Sequence, residues 1–208
     1  MVKRSHTPIL FTKSNNCVIG DGDTITIPGD TKMVWAEAEL AVVIGRRASR
    51  VSYEEAREHI LGYTIANDVN RLNIYNRSED LAYGKCCDTF LPLKHEAHDV
   101  DPFDLKVTSH INGKRVQECS SKDLIFDPYK AVSYASRYLT LEPGDVVITG
   151  TDHKAKERPL RDGDHVIIEI EGLGRLSNDV QWEKNHWRDS FKGQKSTLSQ
   201  QEPALTSS

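Results

Sequence analysis

The segment that decides the fold is Trp35-Ala-Glu-Ala-Glu-Leu-Ala-Val-Val-Ile-Gly45. Residues 40–44 are apolar throughout, which predicts a buried strand. Because residues i and i+2 of a strand point to the same face, Glu37 and Glu39 should project side by side. Two like charges this close raise each other's pKa unless a positive group lies between them. The segment therefore predicts a divalent cation bound through carboxylate oxygens at the start of the strand.

The composition is that of an ordinary globular protein, with 208 residues, 38% of them hydrophobic and 28% charged. A net charge of −4 without a basic stripe argues against a nucleic-acid partner. No apolar stretch approaches the roughly 20 residues of a membrane helix, and the N-terminus lacks the apolar core of a secretory signal. The four cysteines match neither a zinc motif nor a disulfide framework, which favours reduced thiols. We therefore expect a cytoplasmic protein with no membrane partner.

The chain reads mainly as short strands separated by turns. A helix is expected from Ser52, which forms a capping box with Glu55, to about residue 61. A second helix should begin after Asp127-Pro128, with Val132, Ala135 and Leu139 on one face. Strands are predicted at residues 25–27, 40–44, 63–67, 105–112, 114–118, 146–148 and 165–170.

These elements predict a β-rich α+β fold, a mixed β-roll or barrel with two main helices. Residues 1–180 form one domain in this scheme. Residues 181–208 are polar, and their composition predicts a flexible tail.

A third acidic residue, Asp68, follows the short apolar strand in Ala66-Asn-Asp-Val-Asn70. Three carboxylates carry a charge of −3, which one Mg²⁺ or Mn²⁺ ion would reduce to −1. Lys85 could neutralise the remaining charge or bind a substrate anion. The residues alone leave open the alternative that Glu37 and Glu39 lie on a solvated strand face.

Several segments, in order and spacing, resemble the fumarylacetoacetate hydrolase family over about residues 8–180. The longest are residues 35–45, Gly62-Tyr-Thr-Ile-Ala-Asn-Asp68 and Gly84-Lys-Cys-Cys-Asp-Thr-Phe-Leu-Pro92. Shorter ones are Ile111-Asn-Gly113, Gln117, Asp123-Leu-Ile-Phe126, Leu141-Glu-Pro-Gly-Asp145, Ile148-Thr-Gly-Thr151 and Gly163-Asp164.

The resemblance implies a mixed β-roll, a homodimer, and an enzyme that hydrolyses, decarboxylates, hydrates or isomerises a small 2-oxo acid or its enol. By position, Glu37, Glu39 and Asp68 match the family's three ligands to Mg²⁺ or Mn²⁺. The site residues that the resemblance adds are Lys85 as the active-site lysine, Thr151 as a contact to the substrate carboxylate, and Gln117 near the pocket.

The residue types suit this chemistry. A 2-oxo acid can chelate the ion, which then acts as a Lewis acid and stabilises an enolate. Lys85 could hold the substrate carboxylate or protonate the enolate carbon, and we expect burial and the nearby ion to lower its pKa.

In the family, a segment with a His–Glu pair lies on a lid and activates water. This segment is not found before residues 8–13, which correspond to the family's following strand. His6 is the nearby candidate for a replacement base, and simple solvation is its alternative. This departure disfavours hydrolysis and favours decarboxylation or keto–enol isomerisation, although another subunit or a water nucleophile could still support hydrolysis.

Two further departures affect the substrate pocket. The family's arginine four residues after the aspartate ligand is here Arg71, one position early, so Arg71 is either a substrate clamp or a surface arginine, with Arg77 a weaker alternative. After Thr151, charged residues replace the family's proline and glycine, and His153, Lys154 or Arg158 could bind a second anionic group, although a solvated loop is favoured.

Two classes of function remain. The first is a metal-dependent lyase, isomerase or C–C hydrolase acting on a 2-oxo or 2,4-dioxo acid. The second is a non-catalytic binding or assembly subunit, which the retention of the three acids and Lys85 argues against.

Overall fold

The computed structural model describes residues 7–73, 81–151 and 158–184, and most of the regular secondary structure in these residues is strand. The two α-helices are α1 (Leu81–Lys85) and α2 (Pro128–Ser136). The strands are β1 (Val18–Ile19), β2 (Thr24–Ile27), β3 (Thr31–Trp35), β4 (Ala38–Ile44), β5 (Ile60–Asn67), β6 (Asn70–Asn73), β7 (Leu91–Pro92), β8 (Lys106–Ile111), β9 (Lys114–Ser120), β10 (Val146–Ile148), β11 (His165–Ile170) and β12 (Gly174–Trp182).

The strands form a five-stranded sheet in the order β2-β12-β11-β8-β9 and a three-stranded sheet in the order β10-β4-β5. Two small pairs, β3-β6 and β1-β7, complete the arrangement. The parallel pairs β1-β7 and β2-β12 occur beside antiparallel ones, so the architecture is mixed. The predicted β-rich α+β fold is confirmed, and among the described strands the sheets do not close into a barrel.

The centre of the molecule is the antiparallel pair of β4 and β5. Both strands are almost entirely buried, as the continuous apolar run of β4 predicts. Ala38 lies opposite Asn67 at one end of the pair, and Ile44 lies opposite Ile60 at the other. This register places the first residues of β4, and the residue before them, next to the residues that follow β5.

The helix predicted for residues 52–61 is wrong. The capping box is present, since Ser52 N donates to Glu55 Oε2 at 2.8 Å and Glu55 N to Ser52 Oγ at 3.2 Å. Only one 3₁₀ turn, Ala56–His59, follows it before β5 begins. Pairing with β4 and burial in the core therefore override the local helix signal.

Gly62 lies within β5, at a point where the backbone of His98 approaches the strand closely. A Cβ at this position would lie 2.9 Å from the carbonyl oxygen of His98, whose backbone pairs with Tyr63. Only glycine allows the two backbones to approach this closely.

The second predicted helix is confirmed. Asp127 caps α2 by accepting a hydrogen bond from Lys130 N at 3.0 Å, with Pro128 in the first turn. Val132 and Ala135 are buried, but Leu139 lies beyond the helix end and is 39% exposed, so its predicted place on the buried face is wrong. The other α-helix is α1, which the sequence did not predict.

The remaining strand predictions agree with the structure at the level of elements. Asn112 and Gly113 have φ values of 52° and 75°, as the predicted type I′ turn between β8 and β9 requires. Strand β10 is present but only half-buried. Strand β12 was not predicted, and it continues to Trp182, past the predicted domain end at residue 180. The predicted flexible tail lies almost wholly outside the described residues.

Candidate functional site

Three buried carboxylates meet where β4 begins and β5 ends. The oxygens that Glu37, Glu39 and Asp68 can offer to an ion all lie within 4.8 Å of one another. The residues are 5%, 4% and 1% exposed, respectively, so the alternative of a solvated strand face is excluded. The predicted convergence of the three acids is therefore present in the structure.

The backbone holds this cluster together. Asp68 N donates to the carbonyl oxygen of Glu37 at 2.9 Å, and the Asn67 side chain accepts a hydrogen bond from Glu37 N at 3.1 Å. Gly150 N donates to Glu39 Oε2 at 2.7 Å. Asn67 is a positioning residue that the sequence analysis missed, although its place beside Asp68 in the quoted motif marks it as a neighbour.

Lys85 lies in the cluster, as predicted. Helix α1 carries its ammonium group to Glu37 Oε2 at 2.6 Å and into a short hydrogen bond with Asp68 Oδ2. The ammonium also lies 5.0 Å from the centroid of the Phe11 ring, a favourable cation–π distance. Its side chain is only 6% exposed.

A second lysine, Lys13, also contacts the cluster and was missed by the sequence analysis. Its Nζ donates to Asp68 Oδ1 at 2.7 Å and to the carbonyl oxygen of Val69 at 3.1 Å. Its side chain is 4% exposed. The signal in the sequence was a single lysine that ends the apolar stretch Ile9-Leu-Phe-Thr-Lys13, but nothing local indicates its partner.

The charges of the cluster do not cancel. Three carboxylates and the two lysine ammonium groups leave one net negative charge in a buried volume. Burial and the nearby Asp68 carboxylate hold the pKa of Glu39 well above its ordinary value, and the hydrogen bond from Gly150 N only partly opposes them.

The pKa of Lys85 is shifted upward. Burial lowers it, but the charges of Asp68 and Glu37 and their hydrogen bonds more than offset this, so the net pKa lies above its ordinary value. The lowered pKa expected from the sequence assumed a bound ion and stays a prediction; without the ion, the two carboxylates that contact the ammonium group raise its pKa.

Thr151 and Gln117 lie together at the edge of the cluster. Gln117 Nε2 donates to Thr151 Oγ1 at 2.9 Å, and Thr151 Oγ1 donates to the carbonyl oxygen of Ala38 at 2.9 Å. Thr151 therefore contacts the segment that bears Glu37 and Glu39, and Gln117 is linked to that segment through Thr151. Gln117 Oε1 is buried and has no hydrogen-bond partner among the described residues.

Arg71 is 7% exposed, so it is not a surface arginine. It donates to Asp30 Oδ1 at 2.7 Å, to Thr31 Oγ1 at 3.2 Å and to the carbonyl oxygen of Tyr83 at 3.0 Å. These contacts anchor the β3-β6 pair to the residues of α1. Its predicted role as a substrate clamp remains a prediction.

Arg158 donates twice to the buried Asp164 carboxylate, at 2.7 Å and 3.1 Å. This pair links the residues after the 152–157 segment to the turn before β11. The other predicted candidates, His6, Arg77, His153 and Lys154, lie outside the described residues.

The donor set of the cluster fits a hard divalent ion. Three monodentate carboxylates supply oxygen ligands of the kind that Mg²⁺ and Mn²⁺ prefer, and the net negative charge favours a cation. Among the described residues, no other group of three or more acidic, histidine or cysteine side chains converges in this way. None of the four cysteines, all of which lie in the described residues, forms a disulfide.

Comparison with known proteins agrees with this geometry. A model of the fumarylacetoacetate (FAA) hydrolase C-terminal region matches residues 2–181. The chain belongs to the fumarylacetoacetate hydrolase family. Its relative in Bacillus subtilis, oxaloacetate tautomerase YisK, is 38% identical over 183 residues, which cover 83% of this chain and 61% of the relative.

Two solved structures of the fumarylacetoacetate hydrolase family place the chain among enzymes. The 5-carboxymethyl-2-hydroxymuconate delta-isomerase from Mycobacterium smegmatis is 38% identical, with a TM-score of 0.82 over 86% of this chain and 71% of that one. The fumarylpyruvate hydrolase from Pseudomonas aeruginosa, solved with Mn²⁺ and pyruvate, is 28% identical, with a TM-score of 0.79 over 86% of this chain and 81% of that one. In the described parts of the present chain, no helix is long and apolar enough to cross a bilayer.

The raised pKa of Glu39 predicts how the stability of the metal-free protein depends on pH. When the pKa of a carboxyl group is higher in the folded than in the unfolded state, the folded protein loses stability as pH rises above the pKa of the unfolded state. For a glutamate this pKa is ordinarily 4.5. Glu39→Gln should therefore be more stable than the wild type in EDTA at neutral pH, by about 1–3 kcal/mol. Chemical denaturation at a series of pH values measures the difference.

The difference between Glu39→Gln and the wild type should disappear near pH 4, where Glu39 is protonated in both states. With saturating Mn²⁺ the order should reverse, because the variant lacks one ligand and gains less from the ion. Equal Mn²⁺-dependent stabilisation of both proteins would contradict the metal site.

Lys13 is expected to stabilise the fold by neutralising Asp68. Lys13→Met should cost about 3 kcal/mol of unfolding free energy in EDTA, because it breaks a buried ion pair and leaves Asp68 with Lys85 alone. Mn²⁺ should recover more stability in this variant than in the wild type, since the ion replaces the lost positive charge.

Lys106→Met is the matched control for Lys13→Met. The ammonium group of Lys106 lies 3.2 Å from Glu118, but the two side chains are 56% and 42% exposed. The loss of unfolding free energy in Lys106→Met should therefore not exceed about 1 kcal/mol. Equal losses in the two variants, or an unchanged response of Lys13→Met to Mn²⁺, would contradict the neutralising role.

Proposed function

We propose that this chain is a divalent-metal-dependent enzyme that interconverts the keto and enol forms of a small 2-oxo acid, with oxaloacetate as the first substrate to test. The observation that carries the proposal is the buried cluster of three carboxylates in direct contact with Lys85. The names of its relatives support the reaction type, since they include an oxaloacetate tautomerase and an isomerase of a hydroxymuconate.

Glu37, Glu39 and Asp68 are the proposed ligands of Mg²⁺ or Mn²⁺. A bound ion of this kind supplies Lewis-acid stabilisation of the negative charge that develops on the substrate oxygen. The carboxylates do not act as bases in this scheme, because their role is to hold the ion and to fix Lys85. Their burial keeps bulk water away from them, which strengthens these electrostatic contacts.

Lys85 is the proposed acid–base residue. Its pKa is raised while two carboxylates surround it, so Nζ carries a proton before substrate binds. With an ion bound, Glu37 and Asp68 would stabilise the Lys85 ammonium less, so its proton would be transferred more easily to the enolate carbon. In the reverse direction, the neutral amine accepts a proton from the same carbon.

Thr151 and Gln117 are proposed to contact the substrate. The Thr151 hydroxyl lies beside the ligand strand and is oriented by Gln117 and by the carbonyl oxygen of Ala38. We propose that the Thr151 hydroxyl turns its proton from the Ala38 carbonyl oxygen to the substrate carboxylate when substrate binds, while the unpaired Gln117 Oε1 accepts from a hydroxyl such as that of the enol. A clamp role for Arg71 requires that it exchange Asp30 for substrate.

Hydrolysis of an acylpyruvate is the second candidate reaction, and the fumarylpyruvate hydrolase among the structural relatives favours it. Decarboxylation of oxaloacetate is a third outcome that uses the same enolate stabilisation. A non-catalytic subunit is the least favoured function, because a buried cluster of like charges destabilises the fold without serving a reaction.

Oxaloacetate tautomerisation provides the direct test. We expect the Mn²⁺-loaded full chain to accelerate the decay of the enol absorbance, with no release of CO₂. Lys85→Met should lower kcat at least about 100-fold, the scale of a lost general acid–base residue, while Mn²⁺ binding is retained. Stopped-flow absorbance measures the rate, and calorimetry measures the ion affinity.

Lys130→Met is the control for Lys85→Met, because Lys130 is an exposed lysine whose partner is Asp127 on its own helix. It should leave the tautomerisation rate unchanged. Release of a carboxylic acid from an acylpyruvate, without tautomerase activity, would replace the proposed reaction with hydrolysis. CO₂ release from oxaloacetate would replace it with decarboxylation, and no turnover of either substrate would contradict an enzyme of this class.

We also propose that the protein is a homodimer, as the family resemblance implies. Exposed apolar side chains such as Ile9, which is 77% exposed, and Tyr138, which is 66% exposed, would gain stability by burial against a second copy. Sedimentation equilibrium of the full chain should give twice the 23.4 kDa chain mass, and a single-chain mass would contradict the dimer.

A further inference from the structure

The outer face of the five-stranded sheet carries a hydrogen-bonded serine, histidine and aspartate. His165 in β11 lies directly opposite Asp179 in β12, and Ser177 precedes Asp179 by two positions on the same face. His165 Nδ1 is 2.6 Å from Asp179 Oδ1, and His165 Nε2 is 3.2 Å from Ser177 Oγ. Each ring nitrogen therefore has one partner, in the connectivity of a serine nucleophile, its base and an orienting acid.

The partner of Nδ1 determines the direction of both hydrogen bonds. An ionised carboxylate can only accept, so Nδ1 of His165 carries the proton that Asp179 receives. In the neutral ring, Nε2 is then an acceptor and Ser177 Oγ donates to it. The hydroxyl proton is already directed at a base, which is the requirement for an activated serine.

These three side chains can be reached from solvent and lie apart from the carboxylate cluster. The His165 and Asp179 side chains are 42% and 70% exposed, and Ser177 is half-buried. They belong to the sheet of β11 and β12, whereas the cluster lies at the β4-β5 pair. The proposed tautomerase chemistry therefore makes no use of them.

We propose that Ser177 is a second reactive site, a nucleophile that accepts the acyl group of small activated carboxylic esters. Ser177 Oγ bonds to the ester carbonyl carbon while its proton passes to His165 Nε2. The carbon–oxygen bond to the leaving group then breaks, and the departing oxygen takes that proton as an alcohol or phenol. Addition of water to the acyl-serine releases the carboxylic acid and restores the hydroxyl.

The surroundings of Ser177 set the expected rate. Its own backbone N–H donates to Asp21 Oδ1 at 2.7 Å, so this donor is not available to the developing oxyanion. One such donor contributes about 10²–10³-fold in a dedicated hydrolase. Acceleration by the base alone is about 10²–10⁴-fold, so we expect slow acylation to one group per chain with little turnover.

Acetylation by p-nitrophenyl acetate tests the proposal. The full-length chain should release one equivalent of p-nitrophenol in a single slow phase, and mass spectrometry of the peptides should place the acetyl group on Ser177. Ser177→Ala should abolish that modification. His165→Gln and Asp179→Asn should slow it, with a loss of about 100-fold for the histidine variant.

Two matched controls separate the trio from ordinary surface residues. Ser120→Ala removes a half-buried serine that donates to Asp104 Oδ1, and His110→Gln removes a histidine that lies 3.9 Å from Glu169. Both should acetylate at Ser177 at the wild-type rate. EDTA should also leave the rate unchanged, which distinguishes this site from the proposed metal-dependent activity.

Acetylation of Lys85 or of other residues with none on Ser177 would overturn the proposal. An undiminished rate in His165→Gln would overturn it as well, because the serine would then react without its base. Circular dichroism of each variant verifies the fold. Because the Asp179 side chain is 70% exposed, Asp179→Asn tests the same hydrogen-bonded group without removing a packed side chain.

Discussion

The antiparallel pairing of β4 with β5 is the constraint on which the rest of the structure depends. It places Ala38 opposite Asn67, so that Glu37 and Glu39 on one segment meet Asp68 on the other. The same buried pair forms the centre of the hydrophobic core, which fixes the register, since both faces of β4 are buried and a slip of one residue would exchange the side chains that pack on them. Folding energy from apolar burial therefore holds together three groups that repel one another.

Charge balance explains why other elements converge on this point. Helix α1 supplies Lys85, and the segment before β1 supplies Lys13, so each carboxylate oxygen of Asp68 has an ammonium partner. One net negative charge remains, and the burial of Glu39 raises its pKa. A divalent ion would leave one net positive charge, which is suited to an anionic substrate. The net charge of the cluster therefore favours a cation.

Most elements with strong local signals were predictable from the sequence. The turn at Asn112 and Gly113 and the cap at Asp127 depend on backbone conformation and on hydrogen bonds within a few residues. The helix predicted after Ser52 is absent, although its capping box forms. The capping box depends only on nearby residues, and it gives no information about the pairing of β5 with β4, which begins at residue 60. Strand β12 was missed because one of its buried side chains, Asn178, is polar, which breaks the alternation of apolar and polar residues.

The sequence by itself determined the buried strand, its two glutamates, and, through family resemblance, the set of acids and the lysine that form the site. Only the tertiary structure decided that these groups meet, that Lys85 lies between two of them, and that Lys13 is the second cation. The reason is physical: a strand or helix signal depends on neighbours within one or two turns, whereas the pairing of Lys13 with Asp68 spans 55 positions. Contacts at that range follow from strand register and burial, which local sequence does not specify.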